Sequence, residues 1–262
     1  VDVYYLPEGL QGAAPDTALA ASGDDTLETL EAALSVGGAI VRDRLFYFAF
    51  ADYVDSDILT HFATPSFRLP MVDRNTQSQP YWGGKVDWTL SASHRLEGTF
   101  LSDRVDVDLR RWEIDPATGD PVDPPGTGVE MRGGDNAIVR YSGMFGDQLL
   151  LSLQAGRNEF DRTDRSSGDD CPVAVDRRGA RPVFVGCWVN ATRTTSGDTR
   201  EAYRADLDLM LGRHSLRAGV DSEHNVSDDD MSLSGGVGYQ YYRNGSRFPQ
   251  LPPETEVVLR AY

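Results

Sequence analysis

Hydrophobic and polar residues alternate along most of this chain, and the alternating runs come in pairs joined by very short links. In 203–211, Tyr203, Ala205, Leu207, Leu209 and Leu211 share one face, and Arg204, Asp206 and Asp208 share the other. In 214–220, Leu216, Ala218 and Val220 oppose Arg217, Gly219 and Asp221. A period of two specifies a β-strand, because successive side chains point to opposite faces. The same pattern predicts strands over 1–6, 32–41, 45–56, 80–91, 94–109, 135–146, 148–164, 199–212, 214–228 and 255–262. Residues 45–56 are apolar on both faces, so alternation alone does not orient them. A short helix is expected over Thr26–Ala33.

The connections alternate as well. Short polar links lie at Arg42–Arg44, Ser91–Ser93, Gly146–Asp147 and Gly212–Arg213. Long irregular pieces, rich in Pro, Gly and Asp, are expected at 7–31, 57–79, 110–134, 165–198 and 229–254. Loops beyond about 12–15 residues are uncommon in compact soluble domains. Long loops at one end and tight turns at the other are the signature of an outer-membrane barrel, with the loops outside and the turns in the periplasm. Most of the predicted strands reach the roughly 9–11 residues that a tilted membrane strand needs. Tyr5, Tyr53, Trp82, Trp88, Tyr141 and Tyr203 fall near strand ends or on the apolar face, as interfacial aromatics do.

The fold class expected is therefore all-β, an antiparallel transmembrane β-barrel segment of about ten meander strands. Lys85, Asp87, Glu97, Arg140, Arg204, Asp206, Asp208, Arg217 and Asp221 then face the lumen, as cross-strand polar pairs. Outer-membrane lipid and lipopolysaccharide are the surroundings expected on the other face. No stretch is long and apolar enough for a membrane helix. The net charge of −16 over 262 residues argues against nucleic acid, which needs clustered Lys and Arg.

Three motifs carry a family resemblance. Gly37 to Phe48 (GGAIVRDRLFYF) is similar to the "GGPIvkDrlFfF" hairpin of Oar-like TonB-dependent receptors, with Ala39 where the family usually has Pro. Lys85 to Phe100 (KVDWTLSASHRLEGTF) resembles that family's "KvDyxlsdxHrlxgrf" hairpin. His214 to Asp221 (HSLRAGVD) resembles its "HelrfGvdye" strand. The resemblance implies a 22-stranded barrel with a plug in its lumen, coupled to the TonB–ExbB–ExbD system and taking up a scarce nutrient. Residues 1–262 would then be a partial barrel domain, without the plug and the C-terminal strands, and the charged inner residues would face that plug. A surface adhesion barrel and a soluble all-β binding module are the alternatives. The motifs select no cargo, peptide or glycan among them.

Candidate chemistry beyond this is sparse. Cys171 and Cys187 are the only cysteines, and an oxidising exterior favours a disulfide between them. Such a bridge closes about 16 residues and stabilises by roughly 3 kcal/mol through loop entropy. The segment Tyr239, Tyr241, Tyr242 and Arg243 is the expected ligand-contact loop, since exposed aromatics mark binding surfaces, with a tyrosine-rich strand continuation as the equal alternative. His224 stands near Asp221, Glu223 and Asp228, the one arrangement suggesting acid–base work, and no enzyme is expected. Asp228–Asp230, or Asp115, Asp120 and Asp123, offer carboxylates in no EF-hand spacing, and no metal or cofactor is expected.

Overall fold

The computed structural model describes residues 1–10, 12, 24–63, 69–122, 126–166, 171–180, 182–185, 189–244 and 248–262. The fold is all-β and overwhelmingly antiparallel, with no α-helix among the described residues. A large sheet runs through β1 (Asp2–Leu6), β2 (Thr26–Val41), β3 (Leu45–Phe62), β4 (Met71–Ser91), β5 (His94–Ser102), β6 (Val105–Glu113), β7 (Gly126–Gly133), β8 (Asp135–Phe145) and β9 (Leu149–Ser166), and ends in β12 (Thr192–Leu211) and β13 (His214–Leu233). A second sheet of four strands has the order β11–β10–β14–β15 (β10 Val173–Asp176, β11 Val183–Val185, β14 Gly238–Arg243, β15 Glu256–Ala261).

The large sheet is a plain meander once two interruptions are recognised. β4 pairs with β5 along 82–91 and with β6 along 71–78, so β5 and β6 are two halves of one ribbon, broken at Asp103 and Arg104. β7 and β8 are likewise halves of the next ribbon, broken at Gly134, and both pair with β9. The two breaks are coupled. Gly134 N–H donates to the Asp103 carboxylate at 2.9 Å, and Asp103 N–H donates to the Gly134 carbonyl at 3.2 Å. Gly133 has φ +106°, and a Cβ on Gly134 would collide with the Glu159 carbonyl, so only glycine fits there. Within the large sheet, ribbons consecutive along the chain are neighbours, as the paired runs predict.

The short turns sit where expected. Leu211 pairs with His214 across a two-residue turn that starts with Gly212 at φ +60°, the position that a type II′ hairpin gives to glycine. Gly146 at φ +62° opens the β8–β9 turn, and Asp43 at φ +59° occupies the left-handed region in the β2–β3 turn.

Three expectations are corrected. Thr26–Ala33 is strand, held between β1 and β3, because backbone pairing on both sides overrides its helical spacing of Leu27, Leu30 and Ala33. The connections at 57–79 and 110–134 are shorter than expected, since β3, β4, β6 and β7 continue into them, leaving 63–70 and 114–125. Residues 256–261 are not a further strand of the large sheet but pair with β14 in the second one.

Burial is concentrated at the long-loop end. The buried apolar residues include Met71, Val105, Val107 and Leu109 on the large sheet, and Cys171, Val173, Val175 and Val189 on the segment after β9. No large side chain is fully enclosed among the described residues. The broad lower half of the sheet thus has no core of its own.

Candidate functional site

The ladder registers sort the lower sheet into two chemically opposite faces. On one face, Leu45 to Tyr53 of β3, Trp82 to Leu90 of β4, Ala137 to Phe145 of β8 and Tyr203 to Leu211 of β12 contribute every second residue, each run spanning nine positions. Leu34 and Val36 of β2, Leu96 and Phe100 of β5, Leu149 to Ala155 of β9 and Leu216 to Val220 of β13 complete it. No Asp, Glu, Lys or Arg falls within this band. Charge begins at the upper ends of these runs, at Asp55, Asp135, Arg157 directly opposite Ala137, and Glu201. Tyr53, Trp82 and Tyr203 lie along the upper edge, and Phe145 and Trp88 near the lower. The band is open: Trp82 is 48% exposed, Val139 51% and Val220 66%.

The registers also orient β3, which alternation could not. Leu45, Tyr47, Ala49, Ala51 and Tyr53 share the apolar face with Trp88, Val86, Gly84, Trp82 and Pro80. Phe46, Phe48 and Phe50 lie on the polar face, opposite Asp87, Lys85 and Gly83.

All nine predicted inner residues fall on that polar face. Arg204 pairs in register with Asp221 on one side and Gln154 on the other, Gln154 with Arg140, Arg140 with Glu97, and Glu97 with Asp87. The side chains form two ionic clusters. Lys85 reaches Asp87 at 3.1 Å and Glu97 at 3.7 Å, and Arg95 reaches both carboxylates at 3.0 Å. Arg204 holds Asp206 at 2.6 Å, and Arg217 stands 3.4 Å from Asp208. Arg140, Arg204, Asp206, Arg217 and Asp221 line a groove of about 410 Å³. Arg95 and the paired Arg200 and Glu223 belong to this face too. Alternation with Glu97 and Arg204 was the signal for them.

At the long-loop end the chain folds over the polar face. Arg111 binds Asp73 through two hydrogen bonds of 2.7 Å, donates to the Val189 carbonyl at 3.1 Å, and lies 5.5 Å over the Phe62 ring. The Ser166 hydroxyl accepts from the Val189 and Asn190 amides at 3.0 Å, and Ser234 donates to the Asn190 carbonyl at 2.7 Å. These contacts tie the segment at Val189 and Asn190, and Ser234 just after β13, to the upper end of the large sheet. Sequence patterning does not reveal them, because they join distant segments through single polar groups.

Tyr239, Tyr241, Tyr242 and Arg243 do not form a loop. They belong to β14, between β10 and β15, where the three tyrosines are half-buried and Arg243 is exposed. Pairing on both sides makes this segment the strand continuation, the alternative to a loop. Arg178 lies 5.7 Å over the Tyr241 ring, and hydrogen bonds to the Asp176 and Glu256 carboxylates hold its guanidinium charged far above its ordinary range. Cys171 is buried where this layer begins, and Cys187 lies outside the described residues.

Among the described residues no group of three His, Cys, Asp or Glu side chains could hold a metal. Asp123 lies outside them, while Asp115 accepts the Ala117 amide at 2.8 Å as a turn-former. His224 and Asp221 fall on opposite faces of β13. No family model and no curated protein matches the chain.

Proposed function

We propose that this chain is part of the wall of an outer-membrane β-barrel that works as a TonB-dependent transporter of the Oar-like kind. One observation carries the membrane part. A band up to nine residues tall, free of ionised groups along its runs and open to its surroundings, lies back to back with a face of ion pairs. At ~3.4 Å per residue the band covers about 27 Å of strand, which suits a tilted strand crossing the hydrocarbon layer. In water this would be an apolar surface far larger than soluble monomers expose. Against lipid it is the favourable arrangement, and the tyrosine and tryptophan rows at its edges suit the interface.

In this reading the ionic face lines the lumen and faces a plug, and the second sheet stands at the extracellular mouth. Among the described residues β13 is the last strand of the large sheet, twenty residues long, and lipid does not tolerate an unpaired edge. Closure with further strands, to the 22 that the resemblance implies, satisfies that edge. Cys171 and Cys187 form a disulfide within the outer layer. The lipid, the TonB–ExbB–ExbD system and an unidentified nutrient are the partners.

The transport part rests on the motif resemblance in the two hairpins at Gly37–Phe48 and Lys85–Phe100. The test is twofold. The full-length protein should fractionate with outer membranes, require detergent for extraction and run at a different apparent mass before and after boiling. Growth on the scarce nutrient should fail alike in strains lacking the receptor or TonB. Extraction in plain buffer contradicts the barrel, and TonB-independent function contradicts the transporter.

A further inference from the structure

Resting on that reading, we infer that the inner face just above the apolar band holds a binding groove for a neutral oligosaccharide. Asn136, Asn158, Arg200 and Asn225 stand in one row across β8, β9, β12 and β13. At ~4.8 Å between strands the row is about 14 Å wide, room for several linked rings. In the adjacent row Phe160 pairs with Asp198. These six residues line a groove of about 390 Å³.

The chemistry of the row is specific. A carboxamide both donates and accepts, as each sugar hydroxyl does. Asn158 already donates to Asn136 at 2.5 Å, which fixes the direction of both amides. The Arg200 charge is matched by Glu223, so the row presents donors without a net positive field. Asp198 adds an acceptor that disfavours anions. Phe160 is 45% exposed and shares its groove with polar side chains, away from Phe46, Phe48 and Phe50 on β3. An exposed ring there suits the C–H face of a pyranose. Carboxamides beside an exposed ring, in a groove whose Asp103, Glu159 and Asp198 outnumber Arg200, fit a neutral polyol better than an anion.

The test uses the full-length protein purified from outer membranes in detergent. Maltohexaose, cellohexaose, xylohexaose and an uncharged hexapeptide are titrated by calorimetry against wild type, F160A, F160W and the double variant N158A/N225A. At least one hexasaccharide is expected to bind wild type, with F160W close to it, and with F160A and N158A/N225A weaker by about tenfold or more. The inference is overturned if no hexasaccharide binds, if F160A leaves affinity unchanged, or if the peptide binds through Phe160 instead. Heat-modifiable mobility of every sample separates the two claims. A barrel that inserts but binds no sugar overturns this inference alone, whereas a wild type that does not insert overturns the barrel.

Discussion

Arg111 and Asp73 face each other across the β4–β6 ladder and are joined by two parallel hydrogen bonds of 2.7 Å, both side chains largely covered. The same guanidinium holds the Val189 carbonyl, so one side chain fastens the wall to the segment folded over it. Replacing Arg111 by Ala leaves a covered carboxylate without its partner, at a cost of about 2–4 kcal/mol. The expected outcome is faster amide exchange and proteolysis over 171–190, with the lower strands unchanged. R111K should recover only part, because an ammonium cannot make the paired contact.

Position 134 should be more demanding than other glycines of the wall. A Cβ at Gly134 meets the Glu159 carbonyl, a backbone atom that cannot step aside, whereas at Gly98 nothing lies within 4 Å. G134A is expected to destabilise by about 2 kcal/mol or more, and G98A by under about 1 kcal/mol. Urea titration of the two variants refolded in detergent micelles checks the difference.

Charge placed on the two faces should have opposite consequences. L151R sets a cation in the middle of the apolar band and is expected to cost about 2–4 kcal/mol. S152R, one residue on, points into the groove beside Asp206 and Asp208 and should change stability by less than about 1 kcal/mol. Folding yield into lipid vesicles reads both.

The proposed disulfide predicts that neither Cys171 nor Cys187 takes up an alkylating reagent in denaturant until a reductant is added. Reduction should lower the unfolding free energy by about 3 kcal/mol. Immediate labelling of both thiols contradicts the bridge.

The lower half of the wall is legible in the sequence because two signals agree there. Leu207 and Asp208 alternate through the band, and Gly212 or Gly146 marks the turn that reverses it. Above the band the contrast fades. Thr76, Gln77, Ser78 and Gln79 are polar on both faces, so β4 reads as irregular, although backbone pairing with β3 and β6 makes it strand. Alternation carries the strand expected over 94–109 straight through Ser102 and Val105 and does not show the break between them, since that break depends on Gly134 in the neighbouring ribbon. The tyrosines of β14 leave loop and strand equally open in the sequence, because the run is short and its partner Ala174 lies far away along the chain. The two-faced wall needed only local pattern, whereas the layer over its mouth needed long-range contacts.

Nitroxide labels placed one at a time along 203–211, in the protein embedded in outer membranes, test the sidedness of the wall most directly. Labels at 205, 207 and 209 should collide readily with oxygen and little with a water-soluble nickel chelate, and labels at 204, 206 and 208 should do the reverse. Odd positions shielded from both reagents, with even positions open to the chelate, would mean that the leucines pack inside protein and that these strands do not meet lipid.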